Sequence, residues 1–231
     1  MKVLAFDTAL SGCSAALYDT ETERCVSDCK IMARGQAEIL VPMVQEVLEK
    51  GSAAFADVDL LAVTVGPGAF TGLRIGLATA RGFGLVLQKP VVGLTTLDIL
   101  AAMFFRKDVL EEDHLLCVLI ETKRKDYYCQ YFQAGGMAYT KPQALSEQEI
   151  KDKDGGNVIY IGDALARFSS PDTRGCKGYE LPDPCIMAQM ALASFETGNL
   201  IPPEPLYLRD ADVSVSKKEQ RIIGQILTQE I

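Results

Sequence analysis

A glycine-rich segment, GPGAFTGLRIG at 66–76, separates an apolar run at 60–65 from a helical pattern at 73–87. The apolar run predicts a buried strand, and the free backbone N–H groups at the start of the following helix could hold an anion. The spacing matches neither the Walker A pattern nor the Rossmann pattern. On its residues alone, the segment predicts either an anion-binding turn or a tight turn that packs a helix closely.

Small residues recur at every fourth position along this helical pattern: Gly72, Gly76, Ala80 and Gly84. A glycine inside a helix costs about 1 kcal/mol relative to alanine. This cost is tolerable where close packing offsets it. We therefore expect another part of the backbone to approach this side of the helix.

The order of the elements predicts an α/β protein. Three apolar segments, at 3–6, 13–18 and 25–32, are typical of an antiparallel meander, and a helical pattern follows at 37–50. Short strands and helices then alternate along the chain, which favours two α/β units with mixed sheets flanked by helices.

A charged stretch at 106–114 marks a change in composition. We therefore expect a first lobe at 1–105 and a smaller second lobe at 106–215. The apolar periodicity near the end of the chain predicts a terminal helix within 216–231 that packs back on the lobes.

The chain has one histidine, His114, which lies in the charged stretch. A metal site with two or three histidine ligands is therefore excluded, and a lone histidine in such a segment is expected at the surface. The net charge of −8 argues against unaided binding of tRNA, because phosphate contacts need clustered lysine and arginine.

The seven cysteines are odd in number and include no C-x-x-C pair, so they predict reduced, mostly buried thiols in a cytosolic protein. There is no uninterrupted run of about 18 apolar residues, which predicts no membrane span. The apolar run at the N-terminus is too short for a signal peptide.

Asp7 and Thr8 follow the first predicted strand, where they could position a metal ion or a phosphate. A single aspartate at a strand end is more often a turn residue that hydrogen-bonds its own backbone. Asp163, which follows Gly162, allows the same two interpretations.

The helical patterns at 37–50 and 73–87 have more apolar surface than one core contact needs. At 100° per residue, the apolar positions of the first cover roughly 200° of arc. Each helix could be sandwiched between a sheet and another element, or it could present a face to a protein partner. The pattern alone leaves both alternatives open.

Several segments of the chain resemble the TsaB/YeaZ family. The GPGAFTGLRIG stretch resembles that family's glycine-rich motif, and LAFDTA at 4–9 resembles its opening strand. AEILVP at 37–42, VVGLTTL at 91–97 and PLYLR at 205–209 resemble further family segments. Gln36 stands where these proteins usually have histidine.

The resemblance implies a two-lobe, actin-like (ribonuclease H-like) fold and a cytoplasmic protein that is not itself an enzyme. It implies an activator of the catalytic paralogue TsaD, which makes threonylcarbamoyladenosine beside the anticodon of tRNA, together with the ATPase TsaE. Binding of tRNA would occur only through the complex, and a homodimer would form when the protein is alone. No cofactor and no metal is implied.

The family's partner contact lies on the first two helices of the N-terminal lobe. Carried over to this sequence, the resemblance implies eight interface residues: Ile39, Leu40, Met43, Val47, Leu73, Gly76, Leu77 and Ala80. It also implies the vestige of a nucleotide or phosphate site, at Asp7, Thr8, Gly66, Gly68 and Thr71.

Two enzymatic alternatives remain open at this point. The first is an ATP-dependent enzyme of the same fold, in which Asp7 would hold the metal ion and 66–72 the phosphates. The second is a protease, which is the less favoured because the sequence offers neither metal ligands nor a plausible catalytic triad.

Overall fold

The computed structural model describes residues 1–168 and 174–209. The predicted terminal helix within 216–231 lies outside these residues. Among the described helices, none is both long enough and apolar enough to cross a membrane.

The N-terminal lobe is built on a five-stranded mixed sheet. Its strands are β1 (Lys2–Asp7), β2 (Gly12–Asp19), β3 (Arg24–Ile31), β4 (Leu60–Gly66) and β5 (Val91–Thr95). The strand order is β3-β2-β1-β4-β5. The first three strands pair antiparallel, as the sequence predicts, and β4 and β5 run parallel to β1.

Helices cover both faces of this sheet. They are α1 (Gln36–Lys50), α2 (Phe70–Leu87) and α3 (Thr96–Lys107). Leu4 and Phe6 of β1 point into the core shared with α1 and α2, whereas Val3 and Ala5 point into the core shared with α3. This alternation is the period of two expected for a strand that is buried on both sides.

The C-terminal lobe repeats the connectivity of the first sheet. Its strands are β6 (Leu115–Glu121), β7 (Asp126–Phe132), β8 (Gln143–Ser146), β9 (Val158–Ile161) and β10 (Arg174–Gly175). The order β10-β9-β6-β7-β8 places an antiparallel set of three beside two parallel strands, as in the first sheet. The predicted two-lobe α/β fold with mixed sheets is therefore confirmed.

Two α-helices lie in the described part of the second half of the chain, α4 (Glu147–Lys151) and α5 (Pro184–Thr197). The side chain of Asp183 caps α5 by accepting hydrogen bonds from the backbone N–H groups of Cys185 and Ile186. Although α5 comes late in the chain, it packs on β1 and β2 of the first sheet. The division of the chain at residue 105 stays a prediction.

The expectation that all seven thiols are reduced is wrong for one pair. Cys25 on β3 and Cys185 in the first turn of α5 form a disulfide, with their Cα atoms 6.0 Å apart. The two residues are 160 positions apart in the sequence. No local spacing predicts the pair, because only the packing of α5 beside the first sheet brings them together.

Candidate partner-binding groove and the end of the first strand

The carboxylate of Asp7 is buried and directed at groups of its own lobe. Its Oδ1 atom accepts hydrogen bonds from the Thr64 hydroxyl at 2.5 Å and from the Ala9 backbone N–H at 2.9 Å. Burial raises the pKa of Asp7 to about 6. The arrangement matches the turn-forming interpretation, with an additional hydrogen bond from the neighbouring strand.

The glycine-rich turn packs directly on the residues that follow Asp7. A Cβ atom at Gly68 would lie 2.5 Å from the Ala9 carbonyl oxygen, and one at Gly72 would lie 2.0 Å from the Thr8 carbonyl oxygen. The Ala69 backbone N–H donates to the Ala9 carbonyl oxygen at 2.7 Å. The turn therefore contacts protein where an anion-binding turn would contact a phosphate.

The five residues of the predicted vestigial site lie around this contact. Asp7, Thr8 and Gly66 are buried, Gly68 is half-buried, and Thr71 is exposed in the first turn of α2. The Thr8 hydroxyl donates to the Gly72 carbonyl oxygen at 2.7 Å. These contacts favour the second interpretation of the glycine-rich segment, a tight turn that packs a helix closely.

The predicted interface residues lie mainly on the inner sides of α1 and α2. Seven of them are buried in the core, and the eighth, Ile39, is partly exposed. The buried ones are Leu40, Met43, Val47, Leu73, Gly76, Leu77 and Ala80. In this conformation they pack in the core and expose almost no surface, and their assignment to a partner interface stays a prediction. An apolar arc of this width includes both the core side and the outer side, and its composition does not distinguish them.

An apolar groove of about 500 Å³ lies on the outer side, between α1 and α2. We call it the α1–α2 groove, and it is lined by Val41, Phe55, Thr79, Gly82, Phe83, Val86 and Leu87. Val86 is 79% exposed, and its neighbour Leu85 is also largely exposed. Exposed apolar residues grouped in this way are typical of a protein-binding surface.

Aromatic contacts fix the floor of the groove. The ring of Phe83 lies edge-on to the buried ring of Phe6, with centroids 6.2 Å apart, and it also contacts the ring of Phe55 at 5.1 Å. A Cβ atom added at Gly82 would meet no other atom within 4 Å, so the groove is open at this position. None of these lining residues is among the eight predicted interface residues, although most lie on the two predicted helices and the apolar run at 83–87 was a usable signal.

His114 is not the surface histidine that the sequence predicts, since its side chain is only about 9% exposed. Its Nε2 atom lies 3.2 Å from the guanidinium of Arg174, which can only donate. The Nδ1–H group therefore donates to Asp113, at 2.9 Å. Glu111, Asp113 and His114 bring three potential metal-ligating atoms within 4.8 Å of one another, but both ring nitrogens already have protein partners.

Asp163 resembles Asp7 in its environment. It follows β9, and its Oδ1 atom accepts a hydrogen bond from the Glu121 backbone N–H at 2.8 Å. Burial raises its pKa to about 6. Asp163 is half-buried whereas Asp7 is fully buried, and each accepts a hydrogen bond from a backbone N–H group at a strand end or turn.

Comparison with known proteins relates these features to one family. Residues 30–195 match the family described as TsaD, tRNA N6-adenosine threonylcarbamoyltransferase. The chain is 36% identical over 228 residues to the tRNA threonylcarbamoyladenosine biosynthesis protein TsaB of Escherichia coli (strain K12), covering 91% of this chain and 95% of that protein. The protein of the same name from Haemophilus influenzae is 26% identical, with coverages of 91% and 94%.

A solved structure has the same fold along almost its whole length. It is an uncharacterized protein with similarity to peptidase YEAZ from Pseudomonas aeruginosa, with a TM-score of 0.76 and 25% identity. The superposition covers 90% of this chain and 99% of that one.

Proposed function

Because the chain belongs to the TsaB/YeaZ family of tRNA threonylcarbamoyladenosine biosynthesis proteins, we propose that it is a non-catalytic subunit that binds its catalytic paralogue TsaD through the α1–α2 groove. The observation that carries this proposal is the groove itself. It lies on the two helices that the family uses for partner contact, and its lining is almost entirely apolar.

The shape of the groove suits a helical partner. Its walls are helices from one lobe, its floor is the fixed ring of Phe83, and Gly82 leaves room for an inserted side chain. An amphipathic helix that buries its apolar face in such a groove is a recurrent mode of protein recognition. TsaD, which shares the two-lobe fold, would offer its own N-terminal helices.

The non-catalytic part of the proposal rests on the contacts at the end of β1. Asp7 is bonded to Thr64 and Ala9, and the glycine-rich turn packs on Thr8 and Ala9. The single histidine of the chain cannot supply the H-x-x-x-H metal motif of the catalytic relatives. In this proposal the chain contributes a binding surface, and TsaD performs the transfer to tRNA.

TsaE and tRNA enter the proposal through the complex. The net charge of −8 disfavours a separate tRNA site on this chain. When TsaD is absent, the same groove would pair two copies of the chain in a symmetric dimer. In this proposal the protein acts in the cytoplasm, together with the tRNA that TsaD modifies.

Size-exclusion chromatography with light scattering tests the proposal, using the chain alone and mixed with TsaD from the same organism. Wild-type protein should form a 1:1 complex, and Val86→Glu should abolish it. Val109→Glu is the matched control, because Val109 is 93% exposed and lies outside the groove. Binding of Val86→Glu as tight as that of wild type would refute the groove as the contact surface.

A further inference from the structure

A row of exposed residues on α2 runs beside the α1–α2 groove. It consists of Arg74, Ala78, Arg81 and Leu85, and we call it the basic row. Its members are spaced by four, three and four residues, so they lie along one side of the helix. Arg74 and Arg81 are the two charged residues of α2, and both belong to this row.

The basic row borders the groove directly. Arg81 is followed by Gly82, which lines the groove, and Leu85 is followed by Val86, which also lines it. Leu85 is 81% exposed and extends the apolar surface of the groove toward the arginines. A partner that covers Val86 therefore also covers or borders Leu85 and the guanidinium of Arg81.

Contacts with the chain after α5 hold both arginine side chains in place. The Arg81 Nε–H donates to the Pro203 carbonyl oxygen at 2.9 Å, and the Arg74 Nε–H donates to the Tyr207 hydroxyl at 3.3 Å. The guanidinium of Arg74 also lies 3.7 Å from the ring centroid of Phe70, which stacks on the ring of Tyr207. An arginine held in this way loses less conformational entropy when a partner binds its remaining N–H groups.

Neither arginine has a carboxylate partner among the described residues. Their hydrogen bonds use the Nε–H group of each side chain, so the Nη groups remain for a partner. A charge that a partner covers without pairing it is strongly unfavourable. A protein that fills the groove must therefore bring acceptors to its arginine edge.

Carboxylates suit this edge better than the phosphates of RNA. The basic row intersperses its two arginines with Ala78 and Leu85, and α2 contains no lysine. A phosphate backbone is bound by clusters of several cations. Arginine beside exposed apolar residues is instead typical of contacts between proteins. The chemistry of the edge therefore favours an acidic protein surface.

We propose that the TsaD surface that fills the α1–α2 groove carries two carboxylates, which pair with Arg74 and Arg81. This inference rests on the proposed function and adds the chemistry by which the two proteins recognise each other. The arginines are seven residues apart, which is about 10 Å along the helix axis. Two acidic residues that are two turns apart on one helix of TsaD match this spacing.

Calorimetric titration of the chain with TsaD from the same organism, at low and at high salt, tests this pairing. Wild-type affinity should fall as salt rises from about 50 mM to about 500 mM, because salt screens charge pairs at the edge of an interface. Arg81→Gln should bind about tenfold more weakly at low salt and lose most of the salt dependence. Arg81→Lys, which keeps the charge, should recover much of both.

A matched control and a second variant complete the set. Lys177→Gln removes an exposed positive charge between β10 and α5 and should leave the affinity and its salt dependence unchanged. Arg74→Gln should change both in the same direction as Arg81→Gln. Circular dichroism establishes that each variant is folded.

The outcomes separate this inference from the proposed function. Absence of any complex with wild type would refute both. If Val86→Glu abolished the complex while Arg81→Gln kept wild-type affinity, the groove would stand and the carboxylate pairing would be overturned. Weaker binding of Arg81→Gln with an unchanged salt dependence would also overturn it, because Arg81 would then act through its contact with Pro203. So would an Arg81→Gln variant that lowered only the retention of tRNA by the complex.

Discussion

The backbone of Gly72 lies against that of Thr8, so closely that a Cβ atom at Gly72 would be 2.0 Å from the Thr8 carbonyl oxygen. The Thr8 hydroxyl donates a hydrogen bond to the Gly72 carbonyl oxygen. This contact joins the start of α2 to the end of β1. It makes the glycine-rich turn part of the packing of the N-terminal lobe.

The first prediction follows from this contact. Gly72→Ala should lower the free energy of unfolding by about 3 kcal/mol, because the added methyl group meets backbone atoms that cannot move aside freely. Gly82→Ala is the matched control in the same helix, where a Cβ atom meets open space. It should raise the free energy of unfolding by about 1 kcal/mol through helix propensity alone. Urea denaturation monitored by circular dichroism measures both, and equal effects of the two substitutions would contradict this account.

The sequence predicted the helices and strands of the N-terminal lobe better than it predicted which side of each helix is buried. The strand at 60–65 and the close approach along Gly72 and Gly76 followed from local composition and spacing, which depend on neighbouring residues. The buried sides of Leu40 and Leu77 did not follow, because both sides of these helices are apolar. The side that meets the sheet is decided by the tertiary structure.

Long-range pairs were likewise beyond prediction. Cys25 and Cys185 are joined by the packing of α5, and His114 is enclosed by Asp113 and by Arg174 of β10. Neither contact has a local signature, since in each case one partner is at least 60 residues away. The family resemblance indicated which helices are expected to contact a partner, but it gave no information on which of their side chains are exposed.

The second prediction concerns the buried carboxylate of Asp7. Its pKa is raised to about 6 in the folded protein from an ordinary value of 3.8. The folded state therefore binds this proton more tightly, and the resulting stabilisation is present below about pH 4 and lost as the pH rises through 6. The loss amounts to roughly 3 kcal/mol.

Asp7→Asn removes this titration while keeping an oxygen that can accept both hydrogen bonds. The free energy of unfolding of wild type should fall by roughly 3 kcal/mol relative to Asp7→Asn between pH 4 and pH 8. Urea denaturation of both proteins across this range measures the difference in their free energies of unfolding. Asp163 titrates in both proteins, so its contribution cancels in this difference. If the free energies of unfolding of the two proteins changed in parallel with pH, Asp7 would not titrate in this interval.

The third prediction separates the inner sides of the two helices from the outer groove. Met43 and Leu77 are 1% and 3% exposed, so Met43→Glu and Leu77→Glu should unfold the protein, because an unpaired buried charge costs several kcal/mol. Val86→Glu should retain the wild-type circular dichroism spectrum and melting temperature. A folded Leu77→Glu protein with wild-type stability would show that the outer side of α2 has been misassigned.

The fourth prediction concerns the disulfide between β3 and α5. Under denaturing conditions without reductant, five of the seven cysteines should react with a thiol reagent, and all seven should react after reduction. Replacing Cys25 by serine should lower the free energy of unfolding by about 3 kcal/mol, because the bond restricts a long loop of the unfolded chain. Cys29→Ser, at an exposed unpaired cysteine of the same strand, is the matched control and should have little effect. Seven reactive thiols before reduction would show that the pair is reduced in solution.

The fifth prediction is that self-association and TsaD binding compete for one surface. If both use the α1–α2 groove, Val86→Glu should weaken the homodimer and the TsaD complex alike, each by at least about tenfold, since a charge would have to be buried among apolar side chains. Adding TsaD to labelled wild-type dimer should release labelled monomers into a 1:1 complex, which analytical ultracentrifugation resolves. A ternary species with two copies of this chain joined through the groove and one TsaD would contradict the shared surface. Loss of only one of the two associations in Val86→Glu would contradict it as well, because Val86 would lie in both contacts if both used the groove.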